Sequence, residues 1–77
     1  MKLFNAQIDE TQRQLLQALW EKGPAMPLEL AVRTFMLPDE IQQPLQELEK
    51  AGLVERHAFK GGEMLVLTKL GQEIVRS

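Results

Sequence analysis

The sequence of 77 residues lacks cysteine and has a single histidine, and both facts narrow its chemistry. Without cysteine there is no disulfide, no thiolate zinc site and no thiol nucleophile. One histidine cannot supply the several nitrogen ligands that a zinc or iron site normally uses. The sole serine, Ser77, is terminal, so no Ser-His-Asp set is credible. The sequence therefore predicts a protein that is not an enzyme and that binds no metal or other cofactor.

The chain also lacks long apolar runs and a surplus of basic residues. Its longest unbroken apolar run is Met64–Leu67, which is too short to span a bilayer. Residues 1–5 contain no stretch of the length that a secretory signal needs, so we expect a cytoplasmic location without membrane contact. Nine basic and eleven acidic residues give a formal net charge of −2. Because nucleic-acid binders usually carry positive charge, such a function would require a local basic patch.

What the sequence does contain is a succession of amphipathic segments separated by glycine and proline. We expect one domain over residues 1–77, with its folded core at 8–76. Leucines with helical spacing predict a first helix over Glu10–Lys22. Asp9 can cap this helix, because Gln12 lies three residues later and can bond back to the cap. The predicted boundaries therefore rest on capping as well as on the apolar period.

A short second helix is predicted to begin at Pro27, a residue that suits the first helical position. Its buried stripe would consist of Leu30, Ala31, Thr34 and Phe35. On the first helix, Trp20 is expected to lie in the core or to cover it, because it shares the spacing of the buried leucines.

A third helix is predicted over Asp39–Lys50, where Ile41, Leu45 and Leu48 follow the helical period. Pro44 lies beyond the first turn and removes one backbone hydrogen bond. Either the helix bends at Pro44 or its regular part begins there. We favour a bend, because Ile41 already follows the period.

Two strands and a last helix complete the prediction. The strands Leu53–Phe59 and Glu63–Thr68 flank a glycine-rich turn at residues 60–62, which indicates a hairpin. Thr68 would cap the last helix, and Gly71 within it would allow close backbone packing. The fold class is therefore mainly α with a small β-hairpin (α+β), in the order helix-helix-helix-hairpin-helix.

Segments from the third helix onward resemble a known family. Residues 48–56, LEKAGLVER, and residues 66–71, VLTKLG, resemble the corresponding segments of MarR-type and related transcriptional regulators. Residues 29–31, ELA, are similar to those that open the second helix in these families. The resemblance implies a winged helix-turn-helix domain that binds duplex DNA and regulates transcription.

The resemblance also implies which residues contact DNA. The third helix would be the recognition helix in the major groove, and residues 60–62 would be the tip of the wing. The implied base-facing residues are Asp39, Glu40, Gln42, Gln43 and Gln46. The implied phosphate contacts are Arg33, Arg56, His57, Lys60 and Lys69. Glutamine can bind adenine through N6 and N7, and a carboxylate can accept a hydrogen bond from cytosine N4.

The charge of the predicted recognition helix leaves a second interpretation open. Residues 37–54 contain one lysine and four carboxylates, and a carboxylate beside a phosphate is unfavourable. Acidic residues in a first helical turn also stabilise the helix itself, without any functional role. The alternative is therefore a winged-helix module whose acidic third helix docks on a protein partner rather than on DNA.

A homodimer is a further possibility raised by the resemblance. MarR-type regulators usually dimerise through helices that lie outside the winged core. In this sequence the candidate dimer surface consists of Leu3, Phe4, Ile74 and Val75. The competing expectation is that these side chains cover the core of their own domain.

Overall fold

The computed structural model describes residues 8–76, which form four helices and one two-stranded antiparallel sheet. In chain order the elements are α1 (Glu10–Lys22), α2 (Pro27–Arg33), α3 (Pro38–Lys50), β1 (Val54–Phe59), β2 (Gly62–Leu67) and α4 (Lys69–Arg76). The strands pair from Val54 opposite Leu67 to Phe59 opposite Gly62. The predicted fold class and order of elements are confirmed.

α1 begins at a capping box, as the sequence predicts. The Asp9 carboxylate accepts a hydrogen bond from the Gln12 backbone N–H at 2.8 Å, and the Gln12 side chain accepts from the Asp9 N–H at 3.1 Å. These bonds satisfy amides that the helix itself leaves unpaired. Gly23 ends the helix with a φ of +86°, and its N–H donates to the carbonyl oxygen of Leu19.

The end of α2 differs from the prediction at Phe35. Leu30 and Ala31 are buried as expected, but Phe35 is 97% exposed. The Phe35 N–H donates to the Val32 carbonyl at 3.1 Å, and the Met36 N–H donates to the Ala31 carbonyl at 2.9 Å. This Schellman pattern requires a left-handed residue at position 35, where φ is +57°. The helix therefore ends before Phe35 can join its buried stripe.

The left-handed backbone at Phe35 leads to a stability prediction. We expect Phe35→Gly to raise the free energy of unfolding by about 0.5–1 kcal/mol. The gain from removing the clash of a Cβ in this conformation, about 1–2 kcal/mol, exceeds the entropic cost of glycine, about 0.5–1 kcal/mol. Phe35→Ala is the control, because it removes the exposed ring and keeps the Cβ. Urea denaturation compares the two, and equal stabilities would contradict the explanation.

α3 is one continuous helix that begins at Pro38 and includes Pro44. Pro38 occupies the first turn, where its missing N–H removes no helical bond. The Glu40 carboxylate accepts a hydrogen bond from the Leu37 N–H at 2.8 Å and so completes the start of the helix. A regular helix that begins only at Pro44 is therefore excluded.

The core lies where α1, α2, α3 and α4 meet the hairpin. Leu15, Leu30 and Leu65 are completely buried, and Leu65 exchanges backbone hydrogen bonds with Ala25 at 2.7 and 3.1 Å. These bonds attach the α1–α2 connection to β2, so the hairpin is fixed to the helices by backbone as well as side chains. Trp20 is 43% exposed and does not belong to the core, contrary to the first of its two predicted positions.

α4 packs closely against the start of β1. The Thr68 hydroxyl donates to the Gly52 carbonyl at 2.6 Å and accepts from the Gly71 N–H at 3.0 Å, which confirms Thr68 as the cap. A Cβ added to Gly71 would overlap the backbone carbonyl oxygen of Leu53 and would lie 3.0 Å from Leu67 Cδ2. The close backbone packing predicted at Gly71 is therefore confirmed.

The candidate dimer surface on α4 serves the core of the same chain instead. Ile74 is buried within the core cluster, and Val75 packs against it. Leu3 and Phe4, the other members of that candidate surface, lie outside the described residues.

Candidate nucleic-acid interface

One face of α3 is turned to solvent and carries most of the predicted base-facing residues. The buried face of the helix consists of Ile41, Leu45 and Leu48. The helical period places on the opposite face Asp39, Gln42, Gln43, Gln46 and Lys50. All five are exposed. Lys50 is absent from the contact set that the sequence predicts, although the period alone places it on this outward face.

The members of the predicted base-facing set have different environments. Glu40 caps α3 through the Leu37 N–H, so its carboxylate has a structural role at the start of the helix. The side chains of the three glutamines make no hydrogen bond with any residue in the range 8–76, and the same holds for Asp39 and Lys50. The outward face therefore presents amides, one carboxylate and one ammonium group that can all bond to a partner.

A groove of about 460 Å³ separates α3 from the hairpin. α3 contributes most of its wall, and the far side comes from the two strands. Its lining residues are Pro27, Pro38, Ile41, Gln42, Leu45, Gln46, Glu49, Arg56 and Glu63. Gln42 and Gln46 of the outward face thus border a groove whose charged groups are two carboxylates and one guanidinium.

Arg56 connects the two sides of this groove. Its Nη2 and Nε donate to the Glu49 carboxylate at 2.6 and 3.2 Å, and its Nη1 donates to Glu63 Oε1 at 2.8 Å. These hydrogen bonds, first that with Glu49 and then that with Glu63, raise the pKa of Arg56 above its already high ordinary value. Arg56 therefore stays charged but is bound to α3 and β2. Together, Arg56, Glu49 and Glu63 carry one excess negative charge.

Of the other predicted phosphate contacts, two are bonded within the domain and two have free side chains among the described residues. Arg33 Nη1 donates to the Gly23 carbonyl at 2.9 Å and so joins α2 to the end of α1. His57 Nε2 lies 2.9 Å from Glu55 Oε1 on the same strand. Lys60 at the hairpin tip and Lys69 at the start of α4 are exposed, and neither side chain has a partner within the described part of the chain. Their roles in binding remain predictions.

Residues 8–76 contain neither a metal-binding cluster nor a membrane-spanning helix. No three histidine, aspartate or glutamate side chains there lie close enough together to hold a metal ion. None of the helices in this range is long and apolar enough to cross a membrane. The expectation that the protein uses no cofactor stays a prediction from composition.

The arrangement of α1–α3 followed by a hairpin matches known proteins. Residues 8–57, from the start of α1 into β1, match a family model described as a helix-turn-helix domain. The chain belongs to this helix-turn-helix family. The matched range contains α2, its turn and α3, so it includes the outward face described above.

Solved structures extend the match to the whole winged fold of this helix-turn-helix protein. A transcriptional regulator from Thermotoga maritima superposes with a TM-score of 0.85 at 26% identity, covering 96% of this chain and 54% of that one. A MarR family protein from Bacillus stearothermophilus superposes with a TM-score of 0.85 at 26% identity, covering 96% of this chain and 53% of that one. NadR, solved in complex with 4-hydroxyphenylacetate, superposes with a TM-score of 0.84 at 30% identity, covering 96% of this chain and 55% of that one.

The resemblance to MarR-type regulators is thereby confirmed for the winged helix-turn-helix domain. The chain spans about half the length of the regulators that it matches. Among curated proteins, no sequence matches the chain significantly.

Proposed function

We propose that this domain binds duplex DNA and acts in transcriptional regulation, with α3 in the major groove and the hairpin beside the neighbouring backbone. The observation that carries the proposal is the outward face of α3, where Gln42, Gln43 and Gln46 expose amides without a partner among the described residues. Membership of a helix-turn-helix family and the structural likeness to transcriptional regulators support this assignment. In this role the protein recognises DNA and catalyses no reaction.

The three glutamine side chains suit adenine recognition. A glutamine amide can donate to adenine N7 and accept from N6 at the same time, which distinguishes adenine from the other bases. Gln42 and Gln46 are one helical turn apart, or about 6 Å along the axis, which is roughly two base-pair steps. We therefore expect these two residues to contact different base pairs of one half-site.

The free positive charges on α3, at the hairpin tip and at the start of α4 are few, which limits the expected affinity. Lys50 follows the glutamines on the outward face, Lys60 lies at the hairpin tip, and Lys69 begins α4. Each phosphate contact contributes a slope of about −0.9 to the plot of log affinity against log salt concentration. Two or three contacts predict a slope of about −2 to −3, well below that of strongly basic DNA-binding proteins.

Fluorescence anisotropy with a labelled duplex containing A·T pairs, at several salt concentrations, tests the proposal. We expect Gln42→Ala combined with Gln46→Ala to weaken binding at least tenfold, because each lost bidentate contact is worth about 1–3 kcal/mol. The salt slope should not change, since no phosphate contact is removed. The matched control is Gln14→Ala combined with Gln17→Ala on the exposed face of α1, which should bind as the wild type does. Absence of wild-type binding at low salt would overturn the proposal.

A protein partner is the second candidate, and the charge of the site favours it. Asp39 is exposed at the start of α3, while Arg33 and Arg56 are engaged within the domain. A basic protein surface would complement this arrangement, whereas a phosphate would meet the free carboxylate of Asp39. Asp39→Lys separates the candidates: it should strengthen binding to the duplex if DNA is the target and weaken the complex if a basic protein is.

A further inference from the structure

Gln12 is the one polar side chain that residues 8–76 bury, and its hydrogen bonds join α1 to α3. It lies one turn before Leu15 and Leu16, on the buried face of α1. Its side-chain oxygen accepts from the Asp9 N–H at 3.1 Å, and its Nε2 donates to Glu47 Oε1 at 2.5 Å. A single side chain therefore connects the start of α1 with the second half of α3.

The capping box of α1 does not require the bond to Glu47. The side-chain oxygen of Gln12 completes the box at Asp9, whereas its amino group takes no part in it. Glutamate is the other residue that closes such a box, and it has no amino group to donate. Glutamine at position 12 thus supplies a donor that serves the contact with α3 rather than the start of α1.

Glu47 lies at one edge of the outward face of α3, and a second bonded carboxylate, that of Glu49, lies at the other edge. At about 100° per residue, the three glutamines lie between these two positions on the circumference of the helix. Glu47 accepts from Gln12 of α1, and Glu49 accepts from Arg56 of β1. Directed hydrogen bonds therefore hold α3 on both sides of the face that carries the glutamines.

We propose that Gln12 is a positioning residue for base recognition, which fixes the rotation of α3 about its own axis through Glu47. This inference rests on the proposed function, because it concerns how the outward face meets the bases. Apolar packing between α1 and α3 is not directional, whereas a hydrogen bond limits both the distance and the angle between its groups. The bond from Gln12 therefore restricts a rotation that the buried leucines restrict less closely.

Small rotations of α3 are large on the scale of base recognition. The side-chain ends of a helix lie roughly 5–6 Å from its axis, so a rotation of about 10° displaces them by about 1 Å. A binding site must hold its side chains within about 0.5 Å of the productive geometry. Such a rotation would disrupt bidentate contacts of Gln42 and Gln46 with adenine, but would leave the long-range attraction to phosphates unchanged. Loss of the bond should therefore lower base preference rather than non-specific affinity.

An exchange of the two bonded side chains isolates their contact. Gln12→Glu removes the donor and places a carboxylate against Glu47, yet it keeps an oxygen that can accept from the Asp9 N–H, so the capping box is retained. Glu47→Gln alone keeps an oxygen that can accept from Gln12. The two substitutions together reverse the direction of the bond, because the amide then lies on α3 and the carboxylate on α1. The double variant should therefore restore the contact that Gln12→Glu alone breaks.

The test measures two affinities by fluorescence anisotropy, one for a duplex containing A·T pairs and one for a duplex of the same length with G·C pairs only. Added charge or a partly unfolded population changes both affinities by the same factor, so neither alters their ratio. We expect Gln12→Glu to lower the ratio by at least about fivefold, the lower limit for one lost bidentate contact. Glu47→Gln and the double variant should both stay close to the wild-type ratio.

The matched control is Gln17→Glu, which adds the same charge at an exposed site of α1. The Gln17 side chain donates to Glu21 at 2.9 Å within the same helix, so its replacement breaks a comparable bond that does not involve α3. We expect this variant to keep the wild-type ratio. An equal fall in Gln17→Glu and Gln12→Glu would attribute the effect to charge and overturn the inference.

The remaining outcomes separate this inference from the proposed function. A wild type that binds neither duplex would overturn the proposed function, and this inference with it. Binding with an unchanged ratio in Gln12→Glu, or a double variant no better than Gln12→Glu, would overturn the inference alone.

Residual dipolar couplings of the backbone amides in α1 and α3 measure the orientation of α3 without DNA. The couplings should show a rotated α3 in Gln12→Glu and the wild-type orientation in the double variant. An α3 that keeps its orientation in Gln12→Glu would overturn the inference, whatever the affinities are.

Discussion

Gly71→Ala should lower the free energy of unfolding by about 3 kcal/mol, at the upper end for an added methyl group in a packed core. The new Cβ would overlap the Leu53 carbonyl oxygen and press on the Leu67 side chain. The carbonyl belongs to the backbone just before β1, so it cannot move away by changing a rotamer. A domain of this size has a total stability of only about 4–12 kcal/mol. The variant would therefore keep only about 1–9 kcal/mol, and a urea titration would show a large shift of its midpoint.

Gly61→Ala is the matched control for this prediction. A Cβ at Gly61 would lie 3.0 Å from Cε2 of Phe59 and so would also be crowded. The neighbour in this case is an exposed side chain at the hairpin tip, which can rotate away. We expect a change within about 0.5 kcal/mol, as for other surface substitutions. Equal losses in the two variants would show that the close approach of α4 to Leu53 has no special effect on stability.

The parts of the fold that depend on local chemistry could be predicted from the sequence. Asp9 and Gln12 form their capping box within four residues, and Thr68 caps α4 through an amide three residues away. The buried faces of α1 and α3 follow from the spacing of their leucines, because apolar residues at helical spacing mark a buried face whichever element packs against it. The predicted strand boundaries differ by one residue from the observed ones, because the ends of strands in a hairpin depend on their pairing, which local sequence patterns describe only approximately.

The environment of Phe35 could not be predicted from the apolar period. The period continues through Phe35, but the helix ends at Arg33, and only the left-handed turn decides on which side the ring emerges. Phenylalanine gives no warning of such a turn, because glycine and asparagine are the residues that usually mark it.

The pairing of Arg56 with two carboxylates could not be predicted from the sequence. Assignment of Arg56 to phosphate rested on the family resemblance alone. In the hairpin, Arg56 lies opposite Leu65, so Glu63 is its diagonal neighbour across the strands. The predicted turn at residues 60–62 would instead place Arg56 opposite Val66, so the contact with Glu63 depends on the observed pairing, in which Gly62 already belongs to β2. The contact with Glu49 could not be foreseen either, because it depends on how the hairpin packs against α3.

Glu49→Gln combined with Glu63→Gln should strengthen DNA binding about tenfold at low salt and make the salt slope steeper by about one unit. In the wild type, both carboxylates hold Arg56 in the groove between α3 and the hairpin. Neutral glutamines remove two negative charges and release the guanidinium for a phosphate. The ion pairs are partly exposed, so their loss should change the stability by no more than about 1 kcal/mol.

A change in net charge alone should not produce the predicted change in salt slope, and a second double variant is the control for this. Glu10→Gln combined with Glu21→Gln makes the same change in net charge on α1, where both carboxylates are exposed and lie outside the groove. Long-range attraction should then rise slightly, but no new cation reaches a phosphate and the slope should stay constant. A slope that changed equally in both double variants would mean that Arg56 remains bound within the domain. A steeper slope only for the groove variant would identify Arg56 as a phosphate ligand that Glu49 and Glu63 compete for in the free protein.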